Sequence, residues 1–411
     1  MNSRLPGATN EGRLVLGSVI LSTFFIGFGG GVIFPILPNL GVILGISPFL
    51  VGVILSANRF SRLVANAPAG SLVDRYGTRK PFVIGMVIQG IATSGYVVAL
   101  LSPLPEAWFM AARLLWGVGS ALVFATAYTI ADDISDGGSR GSNMGLIRGG
   151  VLFGFPTGIV LGGLVSELSG NVVAFAVATA FAFLASAIAY QTVPETHVEG
   201  GSNQSVKPWD INTSLPAVTV GMVNFAVFFV YVGALFATLV LFIGRNQLSV
   251  FGFDAQGSSG LFMGLTVVAA GLSMYLGGYV SDRNQSRVPI LLLFLVVTSI
   301  GFLLLAFADS VVTLAIACVC IGLGQGGTSG PLMALLGDLV VDGEMGRAVG
   351  TNNVFGDIGG GIGPIVTLPI VDIVGFWPIY VSCAAMPLIA AVILVGGVRR
   401  ETGHYLPRVE S

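Results

Sequence analysis

The sequence predicts an all-α polytopic membrane protein of twelve transmembrane helices in two six-helix, pseudo-symmetric halves. Three observations predict it. Of 411 residues, 54% are hydrophobic and 9% charged, against about a quarter charged in an ordinary soluble domain; so few ionic groups cannot cover a soluble surface of this size. Twelve apolar runs long enough to cross about 30 Å of hydrocarbon alternate with short polar turns. Landmarks of the first half also recur in the second at a nearly constant offset. Glycine, at 59 residues, has about twice its usual share, which suits helices packed backbone to backbone where lipid gives no hydrophobic drive to associate. The net charge of -2 says nothing about partners, because the charges are sorted by side rather than by sum.

In chain order, the residues before Gly12 are polar and read as a short cytoplasmic tail. The first run, Leu14 to Leu40, is too long for a signal-peptide core and has no clear cleavage site, so it is predicted to stay as a helix. Gly27-Phe28-Gly29-Gly30-Gly31, Pro35 and Pro38 let it bend. Five further spans are predicted near Ser47–Leu72, Pro81–Leu101, Glu106–Ala131, Asn143–Glu167 and Val172–Val193. Pro194 to Leu215 has too few apolar residues to insert or to build a core, and reads as a flexible linker. Six more runs follow near Pro216–Ile243, Ala255–Val280, Val288–Phe307, Val311–Leu339, Ala348–Val371 and Phe376–Val398. The expected organisation is therefore a six-helix bundle over 1–193, a linker over 194–215, and a second bundle with a short basic tail over 216–411. With both termini in the cytoplasm, fourteen Arg and Lys residues fall inside and only Arg245 outside, the asymmetry that short loops of a membrane protein show.

The turn between the second and third runs reads Gly70-Ser71-Leu72-Val73-Asp74-Arg75-Tyr76-Gly77-Thr78-Arg79-Lys80. Its three cations hold it on the cytoplasmic side. Gly70 and Gly77 stand where helix ends approach or the chain reverses, and Asp74 needs a helix N-terminus or an Arg as partner. The pattern Gly-x-Leu-x-Asp-Arg-x-Gly-x-Arg-Lys resembles the signature loop of the major facilitator superfamily, the twelve-helix secondary transporters. The resemblance implies two halves related by an axis along the membrane normal, with a central site that rocks between the two sides. It also implies that Asp132 and Asp133, which close the fourth helix, form an ionic latch with Arg75 and Arg79; solvated carboxylates are the other reading.

The repeat supports the duplication. Gly278-Tyr279-Val280-Ser281-Asp282-Arg283, ending in Arg287, follows the turn by 208 residues and keeps its Gly and Asp-Arg. Pro156 and Pro364 are also 208 apart, Gly117 and Gly119 match Gly322 and Gly324 at 205, and Arg140 matches Arg347 at 207.

No catalytic motif is present. His197 and His404 lie in the linker and the tail, and no Gly-rich loop with Gly-Lys-Ser/Thr occurs, so neither an enzyme nor an ATP-driven pump is expected. Cys318, Cys320 and Cys383 fall inside apolar runs and read as inert packing residues. No cofactor or metal is expected; the proton is the coupling ion considered. The expected partners are a small-molecule substrate and the lipid bilayer, with no nucleic acid, and the chain is expected to be a monomer of the inner (cytoplasmic) membrane.

Charged groups within hydrocarbon are costly and default to functional candidates. Arg59 lies eleven residues before Gly70, roughly 16 Å along a helix. Arg62 and Asn66 continue the same face, with Asn58 beside it. Arg59 reads either as a site for an anionic substrate group or as a lock between helices; Arg62 reads as structural. Arg113, followed by Gly117 and Gly119, resembles the family's second motif, which implies a buried Arg tied to proton coupling. Trp116 stands where that motif has a Gln-type residue, and a packing role for Arg113 is the alternative. Asp357 is the one carboxylate deep in a run; burial favours the neutral form of a carboxyl group, as a proton carrier requires, and a permanent ion pair is the other reading. Gly150, Gly154, Pro156, Gly158, Gly162 and Gly163 in the fifth helix resemble the Gly-Pro motif of the antiporter branch, although Phe155 separates Gly154 from Pro156; tight packing also explains them, and Gly363 and Pro364 in the eleventh helix read as helix-packing residues. The function expected is proton-coupled export of a small organic or drug-like solute by alternating access, with Arg113 and Asp357 as coupling residues. Transport of an organic anion at Arg59 is the alternative, and a non-transporting sensor or scaffold is a remote third.

Overall fold

A computed structural model describes residues 10–133, 140–196, 212–283, 286–341 and 344–405. Among these, the side chains of 10–13, 74, 131, 132, 140–146, 148, 152 and 282 are not described. The described residues form helices and turns with no strand, and twelve helices are long and apolar enough to cross a membrane.

Span 1 runs Asn10–Gly31 and, after an interruption at Val32, Ile33–Leu44. Spans 2 to 6 are Pro48–Tyr76, Arg79–Leu101, Pro105–Asp133, Arg140–Ser169 and Asn171–Thr192. Span 7 begins as Leu215–Phe228, widens to a π-helix over Phe229–Phe236 and ends as Ala237–Asn246. Spans 8 to 12 are Ala255–Arg283, Val288–Ala306, Val311–Leu339, Met345–Val374 and Phe376–Thr402. Contacts group the chain into two compact units, Met1–Ile36 with Ala57–Pro208, and Leu37–Ser56 with Trp209–Ser411. The second unit thus includes the end of span 1 and the start of span 2, where the Ser56 hydroxyl donates to the Gly361 carbonyl at 2.5 Å.

Glycine stripes build each unit. In the first, a Cβ at Gly150, Gly154, Gly158 or Gly162 would overlap the backbone of Ile20, Phe24, Phe28 or Val32. Both sets step by four, so spans 1 and 5 touch once per helical turn, and Gly27 and Gly31 return the contact against Val151 and Phe155. The second unit repeats the design: Gly359 meets the Phe225 carbonyl and Gly363 that of Phe229. Gly85 and Gly119 bring spans 3 and 4 together as Gly324 and Phe294 do spans 9 and 10. Helix pairing follows the same plan in both units, with spans 1 and 5, 3 and 4, and 3 and 6 matched by 7 and 11, 9 and 10, and 9 and 12.

These contacts revise the expected register. Gly154 and Gly158 correspond to Gly359 and Gly363, 205 residues on, so Pro156 and Pro364, 208 apart, do not occupy equivalent places. The basic turn also differs from the expected loop. Span 2 stays helical to Tyr76 and span 3 starts at Arg79, so only Gly77 and Thr78 break the path. Gly77 does so with φ +79, its amide closing on the Val73 carbonyl at 2.9 Å, the left-handed helix ending that glycine favours. Gly70 and Gly278 have open space where a Cβ would stand.

The helical defect recurs as well. Val32, where span 1 is interrupted, and Gly233, inside the π-helix of span 7, are equivalent by the stripe contacts. The Gly233 and Gly363 backbones meet there, and the Thr367 hydroxyl donates to the Gly233 carbonyl at 2.9 Å, satisfying a group that the widened helix exposes.

Gly158→Leu is expected to lower the unfolding midpoint of the purified protein by about 5–10 °C, because a side chain there forces spans 1 and 5 apart. Gly149→Leu, where a Cβ meets nothing within 4 Å, is expected to leave it unchanged, as read by thermal unfolding in detergent.

Candidate functional site

Within the first unit, span 4 carries Arg113 and Gly117 one helical turn apart. Gly117 lets span 4 settle on span 2, where a Cβ would strike the Asn58 carbonyl and the Ser61 hydroxyl. That crossing delivers the Arg113 guanidinium to Asn58, and Nη2 donates to Oδ1 at 2.6 Å. Arg113 is 1% exposed, and the Tyr96 hydroxyl of span 3 faces it. Tyr96 packs in turn with Phe109 and Phe175. Trp116, one residue before Gly117, fills the space over Gly30 of span 1. A charge-assisted hydrogen bond of this kind contributes about 1.5–3 kcal/mol. Asn58 is therefore the member of the predicted polar stripe that meets Arg113; Arg59 and Arg62 are half-buried on span 2 and Asn66 is exposed.

The second unit contains the same crossing without the cation. Gly322, 205 residues after Gly117, meets the Thr266 carbonyl, and Thr266 lies 208 after Asn58. Cys318 takes the place of Arg113, and its thiol stands against Thr266. Asp357 lies in this unit on span 11, 9% exposed, next to Gly356, which packs on the Asn224 side chain. Asn224 holds span 7 to span 11 by donating to the Asn352 carbonyl at 2.8 Å.

At the basic turn the anchoring residue is one the sequence reading assigned to the linker. The Glu195 carboxylate accepts from the Thr78 amide at 2.6 Å, the Thr78 hydroxyl at 3.0 Å and the Arg79 amide at 3.3 Å. It caps the N-terminus of span 3, where a negative charge is favoured. Gly77 leaves room for it, since a Cβ there would lie 2.5 Å from the carboxylate. Thr196 then donates to Asp133 at 2.8 Å and pairs with the Thr78 hydroxyl at 2.9 Å. The Arg79 guanidinium donates to the Tyr190 carbonyl at 2.8 Å, and Arg75 lies over the Tyr76 ring. A strap from the end of span 6 thus reaches Asp133, one of the two residues of the expected latch with Arg75 and Arg79. The side chains of Asp74, Asp132 and Asp282 lie outside the described residues.

The second unit has the ionic version. Arg287, 208 after Arg79, pairs with Asp338, 205 after Asp133, at 3.2 Å, and Arg283 stacks on Tyr279. The linker is pinned at its far end too, where Asn212 receives a bond from Thr351 at 3.2 Å and donates to Glu344 at 3.0 Å. Residues 197–211, including His197, lie outside the described residues. Lys80 is exposed.

Comparison with known proteins agrees with this architecture. The family model described as Major Facilitator Superfamily matches residues 19–364. "Multidrug resistance protein 1" of Bacillus subtilis (strain 168) is 24% identical over 386 residues, which cover 92% of this chain and 95% of that protein. "Multi-drug resistance efflux pump PmrA" of Streptococcus pneumoniae is 26% identical over 369 residues, 87% of this chain and 89% of that protein. Among solved structures, a bacterial homologue of the human lysosomal transporter Spinster, inward-facing and occupied, superposes with a TM-score of 0.80 at 15% identity, over 95% of this chain and 98% of the other. Twelve spans, the repeated glycine crossings and a family match over most of the length converge: the chain belongs to the Major Facilitator Superfamily and is a multi-pass membrane transporter.

Proposed function

We propose that the protein exports small lipophilic organic solutes by alternating access, driven by a proton gradient and coupled through Arg113 and Asp357. The observation that carries the reading is the duplicated crossing. Spans 8 and 10 cross at Gly322 on the Thr266 carbonyl as spans 2 and 4 cross at Gly117 on the Asn58 carbonyl, with Cys318 standing where the first half has Arg113. A guanidinium is therefore not needed for the packing. A buried cation that packing does not require, and that is expensive in hydrocarbon, is retained for a task. Asp357 is a carboxyl group buried in the second unit, 9% exposed, and serves as the proton carrier in this reading. The two relatives named as multidrug proteins favour a drug-like solute and outward direction. The cation-rich face, with both termini, is cytoplasmic in this reading, and the protein works as a monomer in the cytoplasmic membrane.

The second reading, an organic-anion carrier, rests on Arg59, half-buried on span 2, whose forked donors suit a carboxylate. In proteoliposomes the two separate. Under the proposal, pH-gradient-driven movement of a fluorescent lipophilic dye such as ethidium falls by about a hundredfold in Asp357→Asn and Arg113→Gln, the scale of a lost proton-transfer group, and survives in Arg59→Gln. Exchange of an organic anion without proton movement, lost in Arg59→Gln and kept in Asp357→Asn, would replace the proposal with the anion reading.

Glu195→Gln is expected to weaken the strap on span 3 by about 1.5–3 kcal/mol, the scale of a charged hydrogen bond. Hydrogen exchange at the Thr78 and Arg79 amides is the measurement, and unchanged protection would contradict the strap.

A further inference from the structure

Beside the Glu195 strap, the ends of spans 2, 3 and 6 line an open cavity of about 760 Å³ within the first unit. Arg75, Arg79 and Lys80 contribute three cations to its wall, and Tyr76, Tyr190 and Ile84 an apolar flank. Among the described side chains the carboxylate in the wall is Glu195, already engaged by the amides of Thr78 and Arg79. Arg79 is held in place twice, by the Tyr190 carbonyl at 2.8 Å and by the Tyr190 ring 5.4 Å from its guanidinium carbon. A guanidinium carries five N–H donors in a fixed fork, and the bond to Tyr190 uses one end of it. Arg75 is braced against the Tyr76 ring. These cations are thus oriented rather than free to sweep through solvent.

The flank decides what kind of anion fits. Ile84, four residues into span 3 from Lys80, is 53% exposed, and Tyr190 is 63% exposed. On a helix that crosses a bilayer, such a surface faces acyl chains. Tyrosines at the level of the charges suit the headgroup zone. A cavity with a cationic roof and an apolar side open to lipid matches a molecule with an anionic head and a hydrocarbon body. Basic pockets between transmembrane helices take lipid headgroups on these terms.

We propose that this cavity binds the phosphate of an anionic phospholipid from the surrounding bilayer, with the headgroup against Arg79 and Lys80 and an acyl chain along Ile84. A free inorganic phosphate shares the oxyanion chemistry but leaves the apolar flank unused. The proposal does not depend on the substrate or the coupling ion.

The test uses the full-length protein in detergent micelles with added dioleoyl phosphatidylglycerol or dioleoyl phosphatidylcholine, and native mass spectrometry to count retained lipid. Phosphatidylglycerol is expected to be retained in preference to phosphatidylcholine. Its affinity is expected to fall about fivefold for each cation removed, in Lys80→Gln and then in Arg79→Gln with Lys80→Gln. Lys80 is exposed, so Lys80→Gln probes the cavity without disturbing the strap. Arg399→Gln with Arg400→Gln, at the end of span 12, is expected to leave retention unchanged. Equal retention of the two lipids, no change in Lys80→Gln, or displacement of the lipid by millimolar inorganic phosphate would each overturn the proposal, the last by marking a site for a soluble anion.

Discussion

In hydrocarbon no hydrophobic force draws one apolar helix to another, so paired spans cohere where a missing side chain lets two backbones meet. The whole protein is arranged around such meetings. Gly150, Gly154, Gly158 and Gly162 lock the fifth span to the first at every turn, and Gly359 and Gly363 do the same for the eleventh and seventh. Gly117 and Gly322 perform the equivalent service for spans 2 and 4 and spans 8 and 10. Once these crossings are fixed, the rest follows by geometry. Arg113 reaches Asn58 because Gly117 has brought span 4 down, and Thr367 reaches the Gly233 carbonyl because Gly363 has brought span 11 across.

The duplication turns each half into a control for the other. Positions that match carry the fold, and positions that differ mark where the halves have diverged. Cys318 and Thr266 replace Arg113 and Asn58, so a neutral pair satisfies the same crossing. At the membrane face, an Arg287–Asp338 ion pair in one half stands where the other half strings Thr78, Glu195, Thr196 and Asp133 into a hydrogen-bonded strap. The strap uses backbone amides and hydroxyls, and it ties the end of span 6 to both the turn and span 4. Partly exposed ion pairs contribute modestly, whereas the strap anchors the start of span 3 through its own amides.

Much of the fold is legible in the sequence. Span count and order follow from apolar runs that water could not tolerate, and the duplication from the recurring Gly and Asp-Arg turn together with the paired Gly, Pro and Arg landmarks. What was not legible depends on contacts between segments distant in sequence. The basic turn read as a loop because its charges interrupt the apolar run, yet a charged helix can extend past the bilayer, and only the positive φ of Gly77 ends it. Pro156 and Pro364 suggested one register and the glycine contacts another, since proline marks a local bend whereas glycine marks the partner. Glu195 was hidden in a polar stretch assigned to the linker, although a carboxylate placed directly after an apolar span, with a helix N-terminus one turn away in space, is a capping arrangement. The pairing of Arg113 with Asn58 had a signal in the sequence: a glycine four residues after the Arg, on the same helical face.

The claim that packing does not require Arg113 is tested most directly by giving the first half the pair that the second half uses. Asn58→Thr with Arg113→Cys should keep the unfolding midpoint within about 3 °C of the parent, a change of about 1 kcal/mol, while dye movement driven by a pH gradient in proteoliposomes is abolished. A protein that unfolds, or one that transports as the parent does, would contradict it.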